Sequence, residues 1–145
     1  MDGRCPGARP LGPARLDGFL LRFCWDSPGW GGGVADVQPS TGDHVWGVLW
    51  DITDDDEVSL DAYEGVADGV YEKRTVTVAH EGGSSEAFLY TMTPDRAEKQ
   101  PSGRYVNALM RGAKAYGIPE DYLDRLRALT EQARAARGMS PKPGR

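Results

Sequence analysis

The sequence contains few cysteines and few histidines. Its 145 residues include two cysteines, Cys5 and Cys24, and two histidines, His44 and His80, all widely separated in the chain. A disulfide framework needs several cysteines at regular spacing, and a structural zinc site needs a cluster of four ligands. The sequence therefore predicts no metal site. It predicts two reduced thiols in a cytoplasmic protein, because disulfides are rare in that compartment.

The sequence also lacks an excess of basic residues and a long apolar segment. Lys and Arg number 17 against 22 Asp and Glu, which gives a formal net charge of -5. Nucleic-acid-binding domains normally carry a basic stripe, so we expect no nucleic-acid partner. A membrane-spanning helix needs about 20 consecutive apolar residues, which no segment approaches, so we expect no membrane partner. Residues 1–14 lack the apolar core of a secretory signal peptide.

The hydrophobic pattern predicts strands in most of the first hundred residues. The length and the 39% apolar content predict a single domain over residues 1–137, followed by a disordered tail at 138–145. Proline and glycine make residues 1–13 an expected irregular segment and residues 26–33 an expected loop. The predicted strands cover residues 14–25, 34–37, 44–52, 70–79 and 86–93, the last two forming a hairpin.

Three helices are predicted from capping signals. Thr53 is the expected N-cap of a short helix that begins with four acidic residues and ends by Gly65. Ser102 is the expected cap of a second helix that stops at Gly117, and the third helix starts at Pro119. The order of elements predicts an α+β fold: a small mixed β-barrel with one short helix in its middle and two C-terminal helices.

Glu64 lies where the short acidic helix meets a glycine-containing entry to a strand. Residue type alone leaves two interpretations open: a solvated surface acid, as most glutamates are, or a general base. The negative end of the helix dipole would raise the pKa of a carboxylate at this position, in the direction that a base requires. Four tyrosines are likewise either core aromatics or pocket-lining side chains: Tyr63, Tyr71, Tyr90 and Tyr105.

Four segments together resemble the γ-glutamylcyclotransferase-like family, which includes the AIG2-like proteins and the γ-glutamyl amine and acyl cyclotransferases. They are "RCPGARPLGPARLDGFLLRF" (4–23), "GGGVADVQPSTGDHVWGVLWDIT" (31–53), "LDAYEGVADGVYEKRTVTV" (60–78) and "PSGRYVNALMRGAKAYGIPEDYLDRL" (101–126). The third is the most specific, since the family's catalytic glutamate lies in Leu-Asp-x-x-Glu-Gly-Val followed by Gly-x-Tyr. The resemblance implies that Glu64 is the catalytic general acid/base. It implies three substrate-binding tyrosines: Tyr71, Tyr105 in the Pro-Ser-x-x-Tyr match, and Tyr90 in "FLYTMT".

The sequence departs from the family at its start. Family members begin with a strand that ends in Tyr-Gly-Ser-Asn-Leu/Met, whose backbone amides hold the γ-glutamyl end of the substrate, and this chain has no such motif. Two explanations are open: a start codon assigned too far downstream, or a true loss of one strand and half the site. Met1 stands directly before a well-matched segment, which favours the first. Without those amides, we expect the chain as written to be a poor catalyst.

The resemblance implies an enzyme of the acyltransferase or cyclising-lyase type. It would cyclise the γ-glutamyl group of a γ-glutamyl amino acid or amine to 5-oxoproline and release the amine, without a cofactor. Its partner would be a small γ-glutamyl compound, and the protein would be a monomer or homodimer. Two alternatives stay open: a catalytically degenerate AIG2-like domain that binds a small ligand or a protein, and a biosynthetic cyclotransferase that removes a protecting γ-glutamyl group.

Overall fold

The chain folds into a four-stranded sheet and three helices. The computed structural model describes residues 5–27, 29–64, 71–92 and 97–138. The elements in chain order are β1 (Arg9–Ser27), β2 (Gly32–Asp51), α1 (Asp54–Glu64), β3 (Tyr71–His80), β4 (Gly83–Met92), α2 (Gly103–Ala115) and α3 (Glu120–Gly138). The strand order in the sheet is β2-β1-β3-β4. The predicted α+β class, with one short central helix and two C-terminal helices, is confirmed.

Strands β1 and β2 are longer than the sequence predicted. Residues 9–13 were expected to be irregular and belong to β1, while the two strands predicted at 34–37 and 44–52 form the single 20-residue β2. Gly12 and Gly42 have φ angles of 122° and 88°, which only glycine adopts without strain. The glycines therefore mark local backbone irregularities within long strands. The predictions of an irregular segment up to residue 13 and of a break between the strands at 34–37 and 44–52 were wrong.

The β3–β4 hairpin has two chemically different faces. The hairpin itself was predicted from the sequence, and the structure pairs it from Tyr71 opposite Met92 to His80 opposite Gly83. Directly opposed residues share a face, and the faces alternate along each strand. One face packs into an apolar core made of Ala14, Leu16, Phe19, Val37, Leu49, Val76, Val78, Ala87 and Leu89. The opposite face carries Tyr71, Lys73, Phe88 and Tyr90.

The chain forms two compact units. The first consists of Met1–Leu21 with Asp36–Arg96, and the second of Arg22–Ala35 with Ala97–Arg145. The first unit contains the hairpin, its apolar core and α1. In the second unit, helices α2 and α3 bury the side chains of Val106, Ile118, Tyr122, Leu123 and Leu126. The single domain over residues 1–137 stays a prediction, and residues 139–145 of the predicted tail lie outside the described residues.

No helix in the described part of the chain is both long enough and apolar enough to cross a bilayer.

Candidate active site

Helix α1 begins with a reciprocal cap. The Thr53 hydroxyl accepts a hydrogen bond from the Asp56 backbone N–H at 3.1 Å, and the Asp56 carboxylate accepts one from the Thr53 N–H at 3.3 Å. The buried Cys5 thiol donates to the Asp56 backbone oxygen at 3.8 Å. Such caps satisfy amides that the first helical turn leaves without partners. The sequence-predicted start of the helix at Thr53 is therefore confirmed.

The first and last turns of α1 contact the hairpin face that carries Tyr71, Lys73, Phe88 and Tyr90, which we call the polar face. Lys73 of β3 donates to Asp61 Oδ2 at 3.2 Å and also to Glu57 Oε2. Tyr90 of β4 lies opposite Lys73 in the ladder and donates its hydroxyl proton to Asp61 Oδ1 at 2.5 Å. Both oxygens of one carboxylate are therefore bound, each by a different strand. We refer to Glu57, Asp61, Lys73 and Tyr90 as the Asp61 cluster.

The contacts within the Asp61 cluster favour its charged state. The hydrogen bond from Tyr90, followed by the contact with Lys73, holds the pKa of Asp61 below its usual value despite partial desolvation. The hydrogen bonds to Glu57 and Asp61 raise the pKa of Lys73. The Lys73 ammonium also lies 4.4 Å from the centre of the Phe88 ring, which itself contacts Tyr90 edge to face at 5.7 Å. Aromatic contacts of both kinds are attractive.

Glu64 is the last residue of α1, three positions after Asp61. Its side chain and residues 65–70 lie outside the described residues, so its predicted role as the general base remains a prediction. Helix α1 is described as far as Glu64, and the predicted stop at Gly65 lies outside the described residues. Tyr71 is half-buried at the start of β3, on the same face as Lys73 and Tyr90. The structure therefore gathers Tyr71, Tyr90 and the final turn of α1 within the first unit.

Tyr105 lies in the second unit, in the first turn of α2. Ser102 caps this helix by accepting a hydrogen bond from the Tyr105 N–H at 3.1 Å, which confirms the predicted cap. The Tyr105 hydroxyl oxygen accepts from the Ala35 N–H at 2.8 Å, and its ring meets those of Phe23 and Trp30 edge to face. Burial raises the pKa of Tyr105. The hydroxyl therefore stays protonated at neutral pH and keeps a proton that it can donate.

Three of the four residues of the Asp61 cluster were not identified from the sequence: Glu57, Asp61 and Lys73. Glu57 and Asp61 are four residues apart on a helix, which placed both acids on one side of it. Lys73 stands between two charged residues, Glu72 and Arg74, near the start of β3. Such charged residues are typical of a solvated surface. The contact of Glu57 and Asp61 with Lys73 depends on how α1 lies against the hairpin, which the local sequence does not specify. The role of Tyr90 in substrate binding stays a prediction, and the structure shows its hydroxyl donating a hydrogen bond to Asp61.

Comparisons with known proteins identify the relatives of this chain. The profile of the AIG2-like family matches residues 44–126. The chain is 38% identical to a γ-glutamylcyclotransferase of Homo sapiens over 132 residues, which cover 87% of this chain and 69% of that protein. It is 38% identical over 121 residues to a γ-glutamylcyclotransferase of Mus musculus, covering 80% of this chain and 64% of that protein. The chain thus spans about two thirds of the length of these relatives.

A solved structure described as a γ-glutamyl cyclotransferase has the same fold. It superposes on this chain with a TM-score of 0.81 at 36% sequence identity, and the match covers 86% of this chain and 76% of the other.

Proposed function

The chain belongs to the AIG2-like, γ-glutamylcyclotransferase-like family, and from this premise we propose that it is a γ-glutamyl-cyclising enzyme. It converts the γ-glutamyl group of a γ-glutamyl amino acid or amine to 5-oxoproline and releases the amine. The similarity to curated γ-glutamylcyclotransferases over most of the chain carries this proposal. The substrate is a small molecule, and the reaction uses no cofactor because nucleophile and electrophile belong to the same molecule.

The first step is closure of the ring. Glu64 takes a proton from the α-ammonium group of the substrate, and the resulting amine attacks the γ-carbonyl carbon. A new C–N bond closes a five-membered ring, and the carbonyl oxygen takes up the negative charge. Well-oriented intramolecular reactions reach effective molarities of about 10⁵ M or more, so correct folding of the substrate supplies much of the acceleration.

The second step is release of the amine. The oxyanion reforms its C=O bond, the original amide C–N bond breaks, and Glu64 returns its proton to the departing nitrogen. The ring nitrogen, which carries two hydrogens after the attack, releases one proton to solvent and becomes the neutral amide nitrogen of 5-oxoproline. A carboxyl group with a raised pKa serves both proton transfers at neutral pH. A position at the C-terminal end of α1 supports such a shift, because the helix dipole is negative there.

Tyrosine hydroxyls are the proposed contacts to the substrate. Tyr71 and Tyr105 are proposed to bind it, as the resemblance implies. Neutral Tyr105 keeps a proton that can be donated to a substrate oxygen while its own oxygen accepts from Ala35. The Tyr90 hydroxyl donates its hydrogen bond to Asp61, so towards a substrate its oxygen serves as a hydrogen-bond acceptor.

A substrate panel tests the proposed reaction. The purified chain, in excess over substrate, is incubated with a γ-glutamyl amino acid, a γ-glutamyl amine and the matching α-glutamyl dipeptide, and 5-oxoproline is measured. We expect release from the γ-linked compounds alone, since the α-linked dipeptide lacks the γ-amide bond that must break. A panel in which no γ-linked compound yields 5-oxoproline would contradict the proposal.

Substitution of Glu64 tests the proposed base. Glu64→Gln should lower the rate of 5-oxoproline release by about 10²–10⁴-fold, because the amide cannot transfer a proton. Glu81→Gln, in the exposed turn of the β3–β4 hairpin, is the matched control and should keep wild-type activity. Circular dichroism checks that both variants are folded. A fully active Glu64→Gln variant would exclude the assignment.

A cytoplasmic location is part of the proposal. Both cysteines are buried thiols, as is typical of proteins in a reducing compartment. The active species is proposed to be a monomer or homodimer.

A further inference from the structure

Helix α1 has an unbalanced charge. Six of its eleven residues are acidic and none is basic, and no basic residue lies in its last turn. The acids of the first turn benefit from the positive end of the helix dipole, whereas Asp61 and Glu64 lie towards the negative end. Like charges one turn apart also repel each other. The second half of α1 therefore needs a cation and hydrogen-bond donors from another element.

The hairpin supplies both. Lys73 and Tyr90 are directly opposed in the β3–β4 ladder, so their side chains leave the same face with Cβ atoms about 4.5–5.5 Å apart. Lys73 reaches Glu57 and Asp61, which are one turn apart, and Tyr90 reaches the second oxygen of Asp61. Two strands that pair with each other therefore both donate hydrogen bonds to the same helical residue, Asp61.

The Tyr90 hydroxyl is committed to this contact. An O–H group bound to a carboxylate oxygen at 2.5–2.7 Å forms a charge-assisted hydrogen bond, about twice as strong as a neutral one, and the observed separation is 2.5 Å. The phenol has one O–H group, and Asp61 accepts the hydrogen bond that it donates. The Tyr90 hydroxyl therefore donates its hydrogen bond to helix α1, which is a different role from donating one to a substrate.

We propose that Tyr90, Asp61 and Lys73 are positioning residues that fix the last turn of α1, and with it position 64, against the polar face of the hairpin. The proposal rests on the proposed function, in which Glu64 transfers the protons. Its consequence is kinetic, because a displacement of about 1 Å at a reacting group can cost about 10²-fold in rate.

Steady-state kinetics of 5-oxoproline release distinguish positioning from substrate binding. Tyr90→Phe removes one oxygen and should lower kcat about tenfold while KM stays nearly constant, since the hydrogen bond that it removes is made to the helix. Asp61→Ala should have an effect of similar size. In a double-mutant cycle, the double variant should be no slower than the slower single variant, because both changes break the same hydrogen bond. A raised KM in Tyr90→Phe, with independent multiplying effects in the double variant, would overturn the proposal.

A second cation provides the matched control. Arg127 also contacts two acids one turn apart, Glu120 and Asp124, but all three belong to α3. Lys73→Met should lower kcat as Tyr90→Phe does, and Lys73→Arg, which keeps the charge, should restore part of the loss. Arg127→Met should leave kcat and KM unchanged. An equal loss of kcat in Arg127→Met and Lys73→Met would overturn the proposal.

Hydrogen exchange provides a readout that does not depend on turnover. The backbone amides of residues 61–64 should exchange about tenfold faster in Tyr90→Phe and in Lys73→Met, the size expected when one charge-assisted hydrogen bond is removed. Arg127→Met should leave them unchanged. Equal exchange in all four proteins would overturn the positioning role. A wild-type chain that releases no 5-oxoproline would instead overturn the proposed function, and the exchange rates would still decide the positioning role.

Discussion

Helices α1 and α3 carry the same pattern of charges and use it differently. In each, two acids one turn apart contact one cation: Glu57 and Asp61 contact Lys73, and Glu120 and Asp124 contact Arg127. Lys73 comes from strand β3, whereas Arg127 comes from α3 itself. The Lys73 side chain is 26% exposed and that of Arg127 is 41% exposed. The Asp61 cluster therefore joins α1 to both strands of the hairpin, whereas the contacts of Arg127 with Glu120 and Asp124 lie within α3.

A raised pKa of the cation does not distinguish an ion pair that joins two elements from one that lies within a single helix. Contacts with carboxylates raise the pKa of Lys73 and also that of Arg127. What separates them is the second donor, Tyr90, and the partial burial of the acids: Asp61 is 37% exposed and Glu120 is 73% exposed. Exposed ion pairs within one helix contribute little to stability, because water and salt screen them.

The largest expected effect is on the free energy of unfolding. Lys73→Met should lower it by about 1–2 kcal/mol, a value reduced from that of a buried charged hydrogen bond because the partners are partly exposed. Arg127→Met should produce no measurable change. Urea unfolding followed by circular dichroism measures both variants under the same conditions. Equal destabilisation by the two substitutions would show that the distinction between the helices is unfounded.

A smaller effect is expected on unfolding by acid. The pKa of Asp61 is lowered in the folded state, first by the hydrogen bond from Tyr90. Its contribution to stability is therefore present above the pKa of an unfolded Asp, about 3.9, and is lost as the pH falls through the lower folded value. Tyr90→Phe removes the main cause of the shift, so acid unfolding should begin at a higher pH than in the wild type.

A substitution in α3 serves as the control for the acid-unfolding measurement. Arg127→Met should unfold at the same pH as the wild type when ellipticity is followed during acid titration. Coincident curves for the wild type and Tyr90→Phe would show that the hydrogen bond to Asp61 does not contribute to stability.

The smallest expected effect is that of salt. Raising NaCl to 1 M shortens the screening length to about 3 Å, which weakens contacts between exposed charges most. The stability difference between the wild type and Lys73→Met should narrow in salt but persist, because Lys73 also packs on the Phe88 ring and donates to partly buried oxygens. Urea unfolding at low and high salt measures this difference. If this stability difference disappeared completely in 1 M NaCl, the Asp61 cluster would behave like the exposed ion pairs of Arg127 with Glu120 and Asp124.

Local signals predicted the helix boundaries and the hairpin. Thr53 and Ser102 cap α1 and α2 as expected, and Gly117, with a φ of 79°, follows the end of α2. Each signal acts within one turn of chain, so neighbouring residues are enough to predict it. The extents of β1 and β2 were not predicted, because Gly12 and Gly42 are irregular in backbone yet remain within strands. Pairing with neighbouring strands outweighs such a local break.

The sequence by itself determined the family, the positions of the caps, the alternation of the hairpin and the candidate base at position 64. Only the tertiary structure decided that Tyr90 donates a hydrogen bond to Asp61 and that Lys73 bridges two carboxylates of α1. These hydrogen bonds join residues 29 and 12 positions apart in the chain. Such contacts depend on strand register and on the docking of a helix on a sheet, which no local pattern of residues specifies.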